Sequence, residues 1–347
     1  MRLRSPRPIG PGRLPRVVPP AQRQQARLHV VTGKGGTGKS TVAAALALAL
    51  ACGGKRVLLC EVEGRQGIAH LFDVEPLPYA ERKIAVAPEG GDVFALHIDP
   101  EAALLEYLDM FYRLGRAGKA LDRFGVVDFA TTIAPGLRDV LLTGKVYEAV
   151  RRRRTKGGHE PAYDAVVLDA PPTGRITRFL NVNSEMAGLA RVGPIRNHAD
   201  AIMSLLRSPR AVVHLVTVLE EMPVQETVDA ITELDAVGLR VGVIVVNLAR
   251  HSGLEDRALD LAVAGTLPAA GLRAGLVAAG VDTSDQVVAG LQRTARYHAQ
   301  RVQLECEQRD RIHGLNRRTV ELPQLSAGGD LGGLYELAQE LRDQGLT

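Results

Sequence analysis

One segment constrains this chain more than any other: His29-Val-Val-Thr-Gly-Lys-Gly-Gly-Thr-Gly-Lys-Ser-Thr41. An apolar run enters a glycine-rich loop. The loop opens into Thr41–Ala51, an alanine- and leucine-rich stretch that reads as a helix closed by Gly53-Gly54. Gly33, Gly38, Lys39 and Ser40 satisfy the phosphate-loop spacing. Each part has a physical task. Gly33, Gly35, Gly36 and Gly38, with Thr37 among them, let backbone N–H groups turn inward around phosphate oxygens. The helix beginning at Ser40 and Thr41 adds the positive end of its dipole. Lys39 sets a charge between the β- and γ-phosphates, and Ser40 supplies a hydroxyl to Mg2+. Gly33, Gly35 and Gly38 also fit the dinucleotide fingerprint. Lys39-Ser40 have no task in such a site, so the loop reads as one for a nucleoside triphosphate.

The rest of the chain supplies the matching frame. Short β-branched runs at Leu28–Thr32, Arg56–Val62, Val93–Ile98, Ala165–Asp169, Ala211–Val218 and Val241–Asn247 are nearly all apolar, as strands buried on both faces are. Helical patterns separate them, at 40–51, 101–114, 120–124, 137–154, 223–236, 254–265 and 283–312. Strands alternating with helices predict an α/β fold, a doubly wound, mostly parallel sheet. No internal repeat is present, so residues 27–347 read as a single domain. Two stretches interrupt the alternation. Residues 101–154 carry Leu104, Leu108, Phe111 and Leu114 at helical spacing, with Leu105 and Tyr112 beside them. Residues 183–210, with Ile202, Leu205 and Leu206, form the second. Both read as an inserted helical subdomain at one end of the sheet, serving either as extra cover for the core or as a surface for a client. Leu331–Thr347 predicts a short packed helix with Leu334, Leu337 and Leu341 on one face.

Asp169 ends the strand that begins at Tyr163-Asp-Ala-Val. An acid at the carboxyl end of a buried strand sits by the crevice where ligands bind, placed to hold the water shell of Mg2+.

Charge is unevenly placed. Of the 347 residues, the first 27 hold seven arginines, six prolines and no acid. Without those seven charges the net charge of +4 becomes −3, so a basic isoelectric point says nothing of nucleic acid for the body of the protein. Residues 1–26 predict a disordered tail: a leader, an arm touching acidic lipid or nucleic acid, or a targeting presequence. Cys52, Cys60 and Cys306 are far apart and form no CxxC, which argues for buried thiols, a reduced cytoplasmic setting, and against a zinc or iron–sulfur cluster. The run Arg151–Arg154 reads as solvated cations closing a helix.

The loop Gly33-Lys-Gly-Gly-Thr-Gly-Lys-Ser-Thr41 resembles the deviant Walker A motif, with Lys34 directly after the first glycine. The stretch from Asp169 to Leu180 resembles one branch of that group, the ArsA arsenite-pump and tail-anchored-protein-targeting ATPases, at Asp169, Pro172, Thr173, Gly174, Arg178, Phe179 and Leu180. The resemblance covers about residues 27–347 and implies ATP and Mg2+ as ligands. It implies that Lys34 reaches the phosphates of a facing subunit, in a homodimer or with a related ATPase chain. It aligns Glu63 with the family's water-orienting Asp, with Glu61 as the alternative, although Gly64-Arg65-Gln66 replace the family's Pro-Ala-His. Gly174 is placed to present a backbone N–H to the γ-phosphate. Asn247 corresponds to an adenine-reading Asn, and Glu226-Thr227 to a helix opening near the nucleotide. The implied function is a nucleotide switch acting on a client or a membrane partner, with the protein cytoplasmic or peripheral to a membrane and no nucleic acid expected. Two other readings stand beside it: a positioning ATPase of the MinD/ParA kind, and an arsenite- or anion-transport subunit. Scarce methionine and scattered cysteines weigh against a methionine-lined groove and a cysteine-based arsenite site.

Overall fold

The strand-forming runs owe their character to burial on both faces. Leu28–Gly33 (β1), Ala165–Asp169 (β5) and Ala211–Thr217 (β6) are buried at every position. In Arg56–Glu61 (β2) only the first residue is partly exposed. The computed structural model describes residues 26–64, 66–112, 136–155, 158–189, 194–250, 252–325 and 331–347. The expected tail, apart from Ala26, the helix expected at 120–124 and Leu114 lie outside these residues.

Three further strands share the parallel direction: Asp92–His97 (β4), Val241–Ala249 (β7) and Thr319–Pro323 (β8). Arg82–Val86 (β3) runs antiparallel at one edge. The eight strands form one sheet in the order β3-β4-β2-β5-β1-β6-β7-β8. Strands β2–β5 all lie on one side of β1, and β6–β8 lie on the other. The loop after β1 therefore lies at the switch of direction, where an open parallel sheet has its crevice.

Among the described residues eleven α-helices surround the sheet: α1 (Lys39–Ala51), α2 (Gly67–Leu71), α3 (Pro100–Tyr112), α4 (Leu137–Arg151), α5 (Thr173–Leu189), α6 (Pro194–Leu206), α7 (Glu221–Ala236), α8 (Asp256–Ala264), α9 (Ala269–Ala278), α10 (Asp285–Gly314) and α11 (Leu331–Asp343). The core divides by strand alternation. Val31, Leu59 and Val167 face α1 and α11. Val30, Leu58 and Leu168 face the apolar stripes of α4–α7. The alanines of α1 let it lie close to the sheet, and α11 covers its other side with Leu334, Leu337 and Leu341 buried. The short packed C-terminal helix is thus as the sequence predicts. No helix among the described residues is long and apolar enough to cross a membrane.

Several sequence expectations are corrected. β3 and β8 were not foreseen: both are short edge strands with charged or half-exposed positions, which hides the pattern that marks a buried strand. α9 was also not foreseen, because it buries no residue. For the described parts of the two helical stretches, cover for the core, one of the two expected roles, is what the packing shows. Leu104 of α3, Leu141, Leu142 and Val150 of α4, and Ile202, Leu205 and Leu206 of α6 all belong to the core on that face. Cys306 is exposed, unlike Cys52 and Cys60, because it lies on an outward face of α10. The helix expected to run to residue 154 stops at Arg151. Arg151, Arg153 and Arg154 are exposed, as expected of a solvated run, and the arginines after the helix pair at the surface: Arg152 with Glu81, Arg153 with the His159 carbonyl and Arg154 with Glu160.

Candidate nucleotide site

The loop from Gly33 to Gly38 leaves β1 under tight steric control. A Cβ on Gly33 would stand 2.1 Å from the Val216 carbonyl oxygen of β6, so only glycine permits this closeness. Gly38 has φ of +83°, and a Cβ there would meet the Asn247 amide nitrogen at 2.3 Å. Gly38 is the N-cap of α1, with no side-chain cap and no acid in the first turn. The helix N-terminus is therefore left with unpaired N–H groups and an uncompensated positive dipole end, an arrangement suited to an anion.

Around this end the strand termini bring together residues far apart in sequence. The Ser40 hydroxyl donates to Asp169 Oδ2 at 2.6 Å. Thr32 Oγ1 donates to the Pro171 carbonyl at 2.6 Å, binding the loop after β5 to β1. Burial pushes the Asp169 carboxyl up to about 6; the Ser40 hydrogen bond and the Lys39 charge oppose the rise, and Glu61 and Glu63 add to it. Among the described residues Asp169 Oδ1 is buried without a hydrogen-bond partner. A hydroxyl and a buried carboxylate with a free oxygen form a hard oxygen set, which fits Mg2+ and the waters it keeps.

Lys34 does not point into open solvent. Its ammonium donates to Glu226 Oε1 at 2.7 Å, and Thr173 Oγ1 donates to Glu226 Oε2 at 2.9 Å. Glu226 lies in α7, so one carboxylate joins the loop, the start of α5 and α7. Burial raises the Glu226 carboxyl, but the hydrogen bonds from Lys34 and Thr173 outweigh it and hold the group below its usual range. Thr227 is turned inward, its hydroxyl donating to the Pro223 carbonyl at 2.9 Å. Asn247 is buried beneath the loop, and its amide nitrogen donates to the Thr37 carbonyl at 2.9 Å. Gly174 is exposed at the first turn of α5, and no described residue comes within 4 Å of where a Cβ would stand.

Glu63 lies on the loop after β2. With Val62, Gly64, Arg138, Asp139, Leu142, Pro171 and Arg175 it lines a cavity of about 300 Å3. Asp139, in the first turn of α4, stands 4.0 Å from Arg175 of α5. Burial raises its carboxyl, against the charges of Arg175, Arg138 and Arg178. This cavity joins the loops at the phosphate end of the sheet to the helical layer. Glu61, the alternative to Glu63, is nearer Asp169: the two are register partners on β2 and β5, and Glu61 is buried. His97, its partner on β4, carried no motif in the sequence, and only strand register brings it here.

The model of the anion-transporting ATPase family matches residues 26–210. Over 327 residues the chain is 54% identical to ATPase BagA of Mycobacterium tuberculosis, covering 94% of this chain and 96% of that protein. It is 28% identical over 234 residues to an arsenical pump-driving ATPase of Escherichia coli, covering 62% of this chain and 38% of that protein. An arsenical pump-driving ATPase of Acidiphilium multivorum is 26% identical over 232 residues, with 62% and 38% covered.

Proposed function

The chain belongs to the ArsA-type anion-transporting ATPase family, and on that premise we propose that it binds ATP with Mg2+ at the loop after β1 and works as a nucleotide-switched dimer. The observation that carries this reading is the uncapped N-terminus of α1 with Ser40 hydrogen-bonded to Asp169 beside it. Backbone N–H groups from Gly33 to Thr41 and the Lys39 ammonium hold the phosphates. Ser40 and Asp169 hold Mg2+, Asp169 through water. When bound, the ion neutralises charge on the β- and γ-phosphate oxygens. Glu63 accepts a hydrogen bond from the attacking water and orients it. Gly174 offers its N–H to the γ-phosphate. The Asn247 amide keeps its oxygen and one N–H for the adenine edge.

Lys34 belongs to the switch. In one chain its charge is held by Glu226. Across a dimer interface it reaches the phosphates of the facing subunit, either a second copy or a related ATPase chain. Its release leaves Glu226 with one of its two bonds, the one that ties α7 to the start of α5. The cavity between Glu63, Asp139 and Arg175 then carries the change to α3–α6, whose outer surface meets a client or a membrane partner.

The arsenite reading draws on the names of the pump-driving relatives. It gains nothing from the thiols: Cys52 closes α1, Cys60 is inside β2 and Cys306 is exposed on α10. A membrane-assembling switch of the MinD/ParA kind gains nothing from α11, whose apolar face is buried.

The test is equilibrium binding of a fluorescent ATP analogue together with phosphate release. Lys39→Ala is expected to weaken binding at least tenfold and stop turnover. Glu63→Gln is expected to keep binding while turnover falls by about 10²-fold or more, the usual range for a positioned acid–base group. An unchanged Lys39→Ala protein overturns the site. Sedimentation of the Glu63→Gln variant with ATP tests the dimer, which fails if the nucleotide leaves association unaltered.

A further inference from the structure

Glu61 ends β2 between two functional neighbours. Its register partners are Asp169 on β5 and His97 on β4. Its side chain is almost fully enclosed, 3% exposed, and His97 is 14% exposed. Glu61 Oε1 accepts the backbone N–H of Gly67 at 2.7 Å, at the start of α2. Gly67 also lies between this carboxylate and the phosphate loop. A Cβ placed on it would lie 3.4 Å from Glu61 Oε1 and 4.0 Å from Ser40 Oγ. The carboxylate and the Ser40 hydroxyl therefore stand on either side of Gly67, and Ser40 in turn bonds Asp169.

The hydrogen-bond account of this corner does not close. Among the described residues Asp169 Oδ1, Glu61 Oε2 and His97 Nδ1 are buried without a hydrogen-bond partner, and Glu61 Oε2 stands 3.5 Å from His97 Nδ1. Two enclosed carboxylates on adjacent strands repel, and each unsatisfied oxygen adds a desolvation cost. A divalent cation with bound water lowers both costs: its charge offsets the pair, and its waters donate to Asp169 Oδ1 and to the second lone pair of Glu61 Oε1, leaving Oε2 to His97. Mg2+ keeps several waters and is held through one or two carboxylates, which is what this corner supplies.

We propose that Glu61 is a second carboxylate of the Mg2+ water shell, standing on β2 alongside Ser40 and Asp169, with His97 as its positioning residue. The proposal rests on the ATP·Mg2+ reading above. Glu61 and Glu63 then divide the work. Glu61, fixed in the sheet and tied to Gly67, holds metal-bound water. Glu63, on the loop beyond, orients the water that attacks. His97 Nδ1 closes on Glu61 Oε2 from behind and fixes the carboxylate's tilt. Metal sites commonly brace a ligating group in this way with an outer partner.

The experiment titrates a fluorescent ATP analogue into the full chain with and without Mg2+ and compares the tightening that Mg2+ produces. In the parent protein Mg2+ tightens binding. Glu61→Gln keeps the acceptor for Gly67 and is expected to lose about tenfold or more of that tightening, the usual scale for outer-shell loss, with Mg2+-free affinity unchanged. His97→Ala is expected to lose a smaller part, and His97→Asn to restore it through its amide N–H. Glu63→Gln is expected to keep the full tightening. Should Glu61→Gln fail to fold, Glu61→Asp, one methylene shorter, is expected to show the same loss. Tightening equal to the parent's in either Glu61 variant overturns the proposal, as does a parent whose nucleotide affinity ignores Mg2+. A parent that binds no nucleotide at all overturns the ATP reading itself.

Discussion

α1 and α9 are of similar length and similarly rich in alanine and leucine, yet they sit in opposite surroundings. α1 buries nine of its 13 residues between the sheet and α11. α9 buries none of its ten, and Val277 at its end is 67% exposed. The neighbouring α8 buries only Ala262. The difference lies in position, not composition. α1 follows β1 and must cross back over a central strand, while α8 and α9 extend the chain between the last two strands of one edge. Similar composition therefore does not fix a helix's burial; the strand order decides whether the sheet uses it.

The largest test of that contrast is a cavity in the buried helix. Leu48→Ala removes a fully enclosed side chain and is expected to cost about 2–5 kcal/mol, read from urea unfolding. A loss under 1 kcal/mol would mean that α1 is less tightly held than its burial states.

The second test is acid. His29 of β1 and His214 of β6 stack with ring centroids 5.4 Å apart, and His29 Nδ1 is 3.1 Å from His214 Nε2. The Val243 N–H points at His214 Nδ1 and the Ala26 carbonyl faces His29 Nε2, so a neutral pair satisfies every ring nitrogen. Burial lowers His29 to about 4 and takes His214 well below its ordinary value. For groups lowered on folding, the contribution is full above the unfolded value near 6.5 and is lost as pH falls through the folded value. Between pH 6.5 and 4 the unfolding free energy should drop by about 3 kcal/mol for His29, at 1.4 kcal/mol per unit. A pH slope no steeper than that of a His29→Gln/His214→Gln double variant would break the assignment.

The smallest effect belongs to the exposed layer. Val277→Ser is expected to change stability by no more than about 0.5 kcal/mol, the range for surface positions. Amide exchange in α9 should also be faster than in α1, since few apolar contacts oppose its local opening. Equal protection of the two helices would mean that α9 is covered in solution.

Some of this protein is legible in its sequence because the information is local. The Gly33–Thr41 loop needs backbone freedom and a lysine within a few positions, and the strand before it and the helix after it are read from adjacent residues. Asp169 is legible for the same reason, as the acid that ends an unbroken apolar run. β3 and β8 are not, because edge strands carry charges on positions that a central strand would bury. The tie from Lys34 to Glu226 spans 192 positions. Glu226 stands out in the sequence only as part of a resemblance, with no sign that it meets Lys34.

What the sequence determined by itself is a phosphate loop on a parallel α/β sheet, because glycine spacing and strand hydrophobicity are properties of short segments. Only the tertiary structure decided which side chains meet at its mouth. Strand order puts β5 between β1 and β2, and register sets Glu61 opposite both Asp169 and His97. A slip of one residue would turn each of these groups to the other face of the sheet, and no local pattern records that choice.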